Sequence, residues 1–142
     1  MILWRISNHA DLSGRGGRLA PGRWHSQGMP IVYCSDHPST TLLEMLVHAD
    51  LENLPKNFQL LKIKCPDDLS IAFLEKVDPS DEVSTRESGD AWLSQCESCL
   101  LGVPSAVLPV ANNILINPRH ADAARLEIEA VMQYPFDSRL LR

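Results

Sequence analysis

The chain has 142 residues, 44% hydrophobic and 22% charged, a size and balance typical of one globular domain rather than a disordered or coiled-coil protein. Thirteen lysines and arginines against eighteen aspartates and glutamates give a net charge of −5. This charge argues against direct nucleic-acid binding, in which neutralisation of phosphates dominates affinity. No apolar run approaches the roughly 20 residues of a membrane-spanning helix, and Arg5 interrupts the apolar core that a signal peptide needs. We therefore expect a single domain over residues 1–142 and a cytoplasmic location.

The chain opens with a strand and a glycine-rich loop. Residues 2–6 alternate as in a strand. Residues 13–28 hold five of the seven glycines, interleaved with Arg15, Arg18 and Arg23. Glycine lets backbone amides approach a ligand closely, and arginine grips phosphate oxygens. The loop is therefore either a phosphate cradle or a mobile surface loop with solvated arginines.

A strand and a helix follow the loop. The β-branched and aromatic run over residues 31–34 predicts a short buried strand, which contains Tyr33. Apolar residues at helical spacing then predict a helix that is capped by Ser39 or Thr40 and extends through about Ala49.

Strands dominate the rest of the chain. The patterns predict strands over 58–65 and 70–74, a helix over 87–101, strands over 105–110 and 114–118 with a tight link at Asn112-Asn113, and a half-exposed strand over 126–132. Because the strands occur in runs, we predict an α+β fold with a mixed, largely antiparallel β core and flanking helices.

Three polar side chains outside the loop are candidates for chemistry. Glu44 lies near the apolar face of its predicted helix, where an unpaired carboxylate is costly. It is therefore either functional or paired, with Arg5 and Arg23 as natural partners. Tyr33 is either a core aromatic or a stacking platform, and Ser105 is either a turn residue or a binding group.

Four cysteines, at positions 34, 65, 96 and 99, are expected to be free thiols, because a cytoplasmic chain lies in a reducing compartment. Cys96 and Cys99 have the C-x-x-C spacing of metal ligands, but no second pair follows and a structural zinc site takes four ligands. We expect no metal site.

One ordered set of short motifs runs over nearly the whole chain. It comprises Trp4-Arg5, Gly14-Arg15-Gly16-Gly17, Gly22-Arg23-Trp24, Val32-Tyr33-Cys34-Ser35, Leu43-Glu44, Gly89-Asp90, Val103-Pro104-Ser105 and Asn117-Pro118-Arg119-His120. This set resembles the RES-domain family, named for an arginine, a glutamate and a serine, which supplies toxins of bacterial toxin–antitoxin pairs. Residues 75–86 show no family pattern, and we expect them to lie on the surface and to say little about the site.

The resemblance implies both a fold and a site. Members of the family are similar to ADP-ribosyltransferases in their core fold, and they act on NAD. By the match, a single RES domain spans this chain, and its NAD pocket is built from Arg5, Arg23, Tyr33, Glu44 and Ser105. Of these, Glu44, Arg23 and Ser105 would be catalytic. The resemblance implies no cofactor beyond NAD, which is the substrate, and no metal.

Three functions stay open. The first is a toxin that cleaves NAD at the nicotinamide–ribose bond, as a glycohydrolase or phosphorylase, depletes cellular NAD and arrests growth. The resemblance implies a cognate antitoxin of the Xre type as its partner. The second is an ADP-ribosyltransferase that modifies a protein target, and the third is a nonenzymatic nucleotide-binding module. The intact set of Arg, Tyr, Glu and Ser favours an enzyme.

Overall fold

A seven-stranded sheet forms the centre of the computed structural model, which describes residues 1–141. In chain order its strands are β1 (Ile2–Ile6), β2 (Val32–Ser35), β3 (Asn57–Lys64), β4 (Ile71–Phe73), β5 (Leu100–Pro104), β6 (Asn112–Ile116) and β7 (Glu127–Pro135). They lie in the order β4-β5-β6-β2-β1-β3-β7, and every neighbouring pair is antiparallel except β4 and β5. The predicted α+β fold with a largely antiparallel core is confirmed.

Among the described residues, three α-helices accompany the sheet: α1 (Arg15–Leu19), α2 (Pro38–His48) and α3 (Glu82–Gln95). The short helix α1 lies inside the stretch that was predicted to be loop. Helix α2 is capped by His37, whose side chain accepts a hydrogen bond from the Ser39 amide at 3.1 Å, so the expected cap at Ser39 or Thr40 is wrong. Within residues 1–141, no helix is long and apolar enough to cross a membrane.

The helix predicted over 87–101 is wrong at both ends. Helix α3 begins earlier because the Asp81 carboxylate accepts a hydrogen bond from the Ser84 amide at 3.2 Å and caps its first turn. It ends before Cys96, which adopts a left-handed conformation with φ of 55°. Residues 100–103 belong to β5 and are buried on both faces. Their continuous apolar run has no period that separates a strand from a helix.

The strand predicted over 105–110 is a turn. The Ser105 hydroxyl oxygen accepts hydrogen bonds from the amides of Val107 at 3.1 Å and Leu108 at 3.2 Å, and this local bonding competes with strand pairing. The link between β5 and β6 is therefore the stretch after Ser105. Asn113, which was predicted to lie in the link, belongs to β6.

Side chains of the sheet alternate between two buried faces, as period-two strands require. One face packs around Leu3 and Val32. The other face packs Tyr33 and Leu115 against Trp92 of α3. The neighbouring β2 residues Val32 and Tyr33 therefore lie on opposite faces of the sheet.

The sheet opens between β1 and β2. These strands share one registered pair, Trp4 with Ser35, whereas β1 and β3 pair at five successive positions. Beyond the single pair the two strands separate. Ile6 at the end of β1 and Tyr33 on β2 consequently line a cleft instead of facing each other in a ladder.

Candidate active site

A cleft of about 530 Å³ lies at the opening between β1 and β2, on the face of the sheet that carries Tyr33. Its walls come from β1, β2, the segment that follows α1, helices α2 and α3, and the start of β6. Its polar and charged lining residues are Arg23, Tyr33, Ser35, Thr41, Glu44, His48, Glu82, Arg86 and Asn113.

Helix α2 positions Glu44 in this cleft. Thr41, one turn earlier, donates its hydroxyl to the Trp4 carbonyl of β1 at 3.2 Å and so anchors this face of the helix against the sheet. Glu44 Oε1 accepts hydrogen bonds from Ser105 Oγ and, at 2.9 Å, from Asn113 Nδ2. Among the described residues none donates a hydrogen bond to Glu44 Oε2. The carboxylate is therefore held through one oxygen, and the other remains available to a ligand.

The hydrogen bonds around Glu44 have a defined direction. The buried Ser105 hydroxyl accepts from two backbone amides of its own turn, so its single proton is donated to Glu44. The Asn113 amide donates to Glu44 and accepts from the Ser35 hydroxyl at 3.0 Å, because β2 and β6 pair these two residues in register. The structure thus unites the predicted Glu44 and Ser105. It adds Ser35 and Asn113, which the sequence did not place in the pocket because the strand register was unknown.

Of the two alternatives for Glu44, an ion pair with Arg5 or Arg23 is not the one found among the described residues. Arg23 Nη1 donates to the Pro79 carbonyl at 2.8 Å, and Nη2 lies 3.4 Å from the Glu82 carboxylate. This ion pair is partly exposed, with 28% of the Arg23 side chain accessible, and such pairs contribute little to stability. Arg23 therefore lines the cleft in a contact that a more strongly charged anion can displace.

Residues 75–86, which were expected to lie on the surface and to say little about the site, contribute directly to the cleft. Glu82 and Arg86, both in the first turns of α3, line the cleft. Arg86 Nε and Nη2 donate to the Gly22 carbonyl at 3.2 Å and 3.1 Å and hold the segment before β2 against the helix. The Asp81 cap was the sequence signal that would have placed both residues on a helix.

Tyr33 lines the cleft, and its phenol group is largely buried. The phenol oxygen lies 2.6 Å from His25 Nδ1 and accepts a hydrogen bond from the Trp24 amide at 3.2 Å. Burial raises the pKa of Tyr33 to about 12, an effect that the Trp24 amide partly offsets. The phenol is therefore neutral at physiological pH, and Tyr33 is fixed at its polar end.

The structure does not bring Arg5 into the cleft. Ile6 lines the cleft, and alternation along β1 places Arg5 with Leu3 on the opposite face. Arg5 Nη1 reaches across the opening to the Tyr33 carbonyl at 3.3 Å, and its Nε is buried with no hydrogen-bond partner in the part of the chain described. Arg5 thus connects β1 to β2 from the face of the sheet opposite the cleft.

The remaining arginines of the glycine-rich segment are also outside the cleft. Arg15 and Arg18 are exposed on α1, and Arg18 lines a separate depression together with Arg119. The chain turns into α1 at Gly14, whose φ of 72° and close approach to the Ile31 amide leave no room for a side chain. The segment is therefore a folded turn that contributes one arginine, Arg23, to the cleft.

All four cysteines are free thiols. Cys34, Cys65 and Cys99 are buried, and burial raises their pKa values to about 12, about 11 and about 11. Within residues 1–141 no group of three or more His, Cys, Asp or Glu side chains is arranged to hold a metal ion.

Fold and site together define an α+β protein with a polar, carboxylate-bearing cleft where its sheet separates. The same fold occurs in a solved structure of the Mycobacterium tuberculosis MbcT–MbcA toxin–antitoxin complex, with a TM-score of 0.74 and 18% sequence identity. The match covers 94% of this chain and 84% of that chain. At this level of identity, the likeness concerns the fold.

Residues 2–137 match the RES domain family. The chain is 44% identical over 145 residues to the protein named Toxin Res of Pseudomonas putida, covering 99% of both chains. It is 34% identical over 155 residues to the Prs ADP-ribosylating toxin of a Sphingobium species, covering 98% of this chain and 96% of that protein. The chain therefore belongs to the RES-domain family, as its ordered motifs predicted.

Proposed function

We propose that this protein is an enzyme whose cleft binds NAD and cleaves the bond between nicotinamide and ribose. The observation that carries the proposal is the geometry of Glu44, whose Oε1 is held by Ser105 and Asn113 while no hydrogen bond from a described residue holds Oε2. Arg23 and Tyr33 line the same cleft. A fixed carboxylate beside a nucleotide-sized cleft suits a reaction in which positive charge develops on the sugar.

In the proposed step the bond between ribose C1′ and the nicotinamide nitrogen breaks, and the electron pair leaves with nicotinamide. The leaving group departs neutral, so the step needs neither a strong general acid nor a metal ion. Positive charge spreads over the ribose, and the Glu44 carboxylate stabilises it electrostatically. An acceptor oxygen then bonds to C1′, and where that oxygen belongs to water its extra proton is released to solvent. Glu44 also serves to hold a ribose hydroxyl or orient that acceptor.

The other lining residues bind and orient the substrate in this proposal. Arg23 exchanges Glu82 for the pyrophosphate, which a guanidinium binds through two parallel hydrogen bonds. Tyr33 stacks on the nicotinamide ring, and Ser105 keeps Glu44 in place. The resemblance gave Arg5 a share of the pyrophosphate. Its position behind the sheet instead favours Arg86, which lines the cleft beside Arg23.

The relatives support a toxin role for this activity. Proteins named as toxins match the chain along almost their whole length, and a solved structure that shares its fold is a toxin–antitoxin complex. We propose that the protein consumes NAD in the cytoplasm and arrests growth until a cognate antitoxin, of the Xre type by the family resemblance, inhibits it.

A second candidate is transfer of ADP-ribose to a protein. It is favoured by the 34% identity to a relative named as an ADP-ribosylating toxin. The broken bond and the role of Glu44 are the same, and only the acceptor differs. A nonenzymatic nucleotide-binding module has no use for a carboxylate that three side chains, Ser35, Asn113 and Ser105, hold in place directly or in relay.

The test is release of nicotinamide from NAD by the purified chain in phosphate-free buffer, in phosphate buffer and with a protein lysate. Release in every arm supports NAD cleavage, and the ribose product identifies the acceptor as water, phosphate or protein. Release only with lysate, together with modified protein, supports the transferase. If the folded chain releases no nicotinamide in any arm, the enzyme proposal is wrong.

A further inference from the structure

His25 lies buried directly behind Tyr33, with 3% of its surface exposed. A backbone hydrogen bond of 3.1 Å from the Gly22 amide to the His25 carbonyl places it at the end of a narrow turn. Its Nε2 faces two carbonyl oxygens, that of Gly17 at 3.1 Å and that of Ala20 at 2.9 Å. The imidazole therefore connects α1 to the tyrosine that lines the cleft.

The neighbours of His25 determine where its proton lies. Both partners of Nε2 are carbonyl oxygens, which only accept, so Nε2 carries the hydrogen. In the neutral ring, Nδ1 then has a free lone pair 2.6 Å from the Tyr33 phenol oxygen. The phenol oxygen already accepts the Trp24 amide hydrogen, so its own proton is donated to His25 Nδ1.

The Gly22 backbone lies close to the Tyr33 hydroxyl group. A Cβ atom added at Gly22 would lie 2.5 Å from the phenol oxygen and 2.9 Å from His25 Nδ1, so backbone packs tightly against this hydrogen bond. Because burial raises the pKa of Tyr33 to about 12, the phenol keeps the proton that it donates. His25 itself is not among the residues that line the cleft.

We propose that His25 is a positioning residue that fixes the Tyr33 ring at the wall of the cleft by accepting a hydrogen bond from its phenol group. The inference rests on the proposed function, in which the fixed Tyr33 ring stacks on nicotinamide. His25 acts through Tyr33 and touches no substrate atom. It belongs to a segment in which Arg23 lines the cleft, Trp24 packs in the core and His25 orients the aromatic platform.

The first arm of the test needs no NAD. Long-range ¹H–¹⁵N correlation spectra of the histidine-labelled protein at pH 7.5, assigned with a His25→Gln variant, report the tautomer of His25. We expect a neutral ring protonated on Nε2, and we expect Tyr33→Phe to shift the Nδ1 resonance of His25 while leaving exposed His9 unchanged. A ring protonated on Nδ1, or no response to Tyr33→Phe, overturns the proposal.

The second arm measures NAD affinity and turnover in variants whose folding is checked by circular dichroism. We expect His25→Leu and Tyr33→Phe each to weaken NAD binding about tenfold, with no further loss in the double variant. His25→Asn places an acceptor near the position of Nδ1 and should recover part of the affinity, and His9→Ala should change nothing. The two losses adding in the double variant would refute positioning through Tyr33.

The two proposals fail in different ways. If the wild-type protein neither binds nor cleaves NAD, the proposed function is wrong, and with it the role of His25 in NAD binding. If the wild type cleaves NAD but His25→Leu behaves like the wild type, only the inference about His25 is wrong.

Discussion

Replacing Glu44 by Gln isolates the charge of the carboxylate from its hydrogen bonds. A glutamine side chain has the same length, and its carbonyl oxygen can accept the hydrogen bonds that Ser105 Oγ and Asn113 Nδ2 now donate to Glu44 Oε1. The new amide group takes the place of Oε2, which receives no hydrogen bond from the described residues. Glu44→Gln therefore keeps the local structure and removes the negative charge.

The expected effect follows from the nature of the lost contact. Losing one preorganised electrostatic contact to a charged transition state costs roughly 3–4 kcal/mol, about 100- to 1,000-fold in kcat. Ser105→Ala keeps the charge of Glu44 and removes one hydrogen bond to it. We expect this to lower the free energy of unfolding by about 1.5–3 kcal/mol. NAD affinity should change little in Glu44→Gln, because Arg23 and Tyr33 remain in the cleft.

Initial rates of nicotinamide release at saturating NAD measure kcat, and calorimetry measures affinity. Glu52→Gln is a matched control, since Glu52 is exposed and lies outside the cleft. Thermal unfolding should show that Glu44→Gln and Glu52→Gln keep the wild-type stability. If folded Glu44→Gln releases nicotinamide at the wild-type rate, the role assigned to Glu44 is wrong.

Three further predictions concern binding, packing and pH. Arg23→Ala should weaken NAD binding at least tenfold by calorimetry, and unchanged affinity would make Arg23 a structural residue. Gly89→Ala should lower stability by about 3 kcal/mol, near 10 °C in Tm, because the added Cβ would lie 1.6 Å from the Trp24 carbonyl oxygen. The control Gly16→Ala meets nothing within 4 Å and should unfold like the wild type. Because the folded pKa of Tyr33 is raised to about 12, folding favours its protonated form, and stability should fall by about 2 kcal/mol between pH 10 and 12. In denaturant titrations, the Tyr33→Phe variant should lack this part of the loss of stability. Identical pH profiles of stability in the wild type and Tyr33→Phe would contradict the raised pKa of Tyr33.

Local sequence patterns were sufficient to predict most of the strands. The alternation in β1 and the β-branched run in β2 act over a few residues, and both strands lie where they were predicted. The fully buried β5 was predicted as the end of a helix, since a strand covered on both faces carries no alternation. The prediction of a strand after Pro104 was wrong because the next amides donate hydrogen bonds to the Ser105 hydroxyl oxygen and form a turn.

Residue type singled out members of the site but not their partners. Glu44 was a candidate because its carboxylate lies near the apolar face of its helix, and it does line the cleft. Its expected arginine partners are absent from its hydrogen bonds, because Arg5 lies on the other face of β1 and Arg23 pairs with Glu82. Asn113 takes their place through the pairing of β2 with β6.

The sequence by itself determined the family, the α+β class and the residue types available for chemistry, since motifs, alternation and local capping all act along the chain. Only the tertiary structure decided which of these residues meet. The single pair between β1 and β2 opens the cleft, and the register of β2 against β6 aligns Ser35 with Asn113. The turn after β5 then directs the Ser105 proton to Glu44. Although the turn itself is local, the contacts Trp4–Ser35, Ser35–Asn113 and Ser105–Glu44 join residues far apart in sequence, so the geometry of the site depends on the whole sheet.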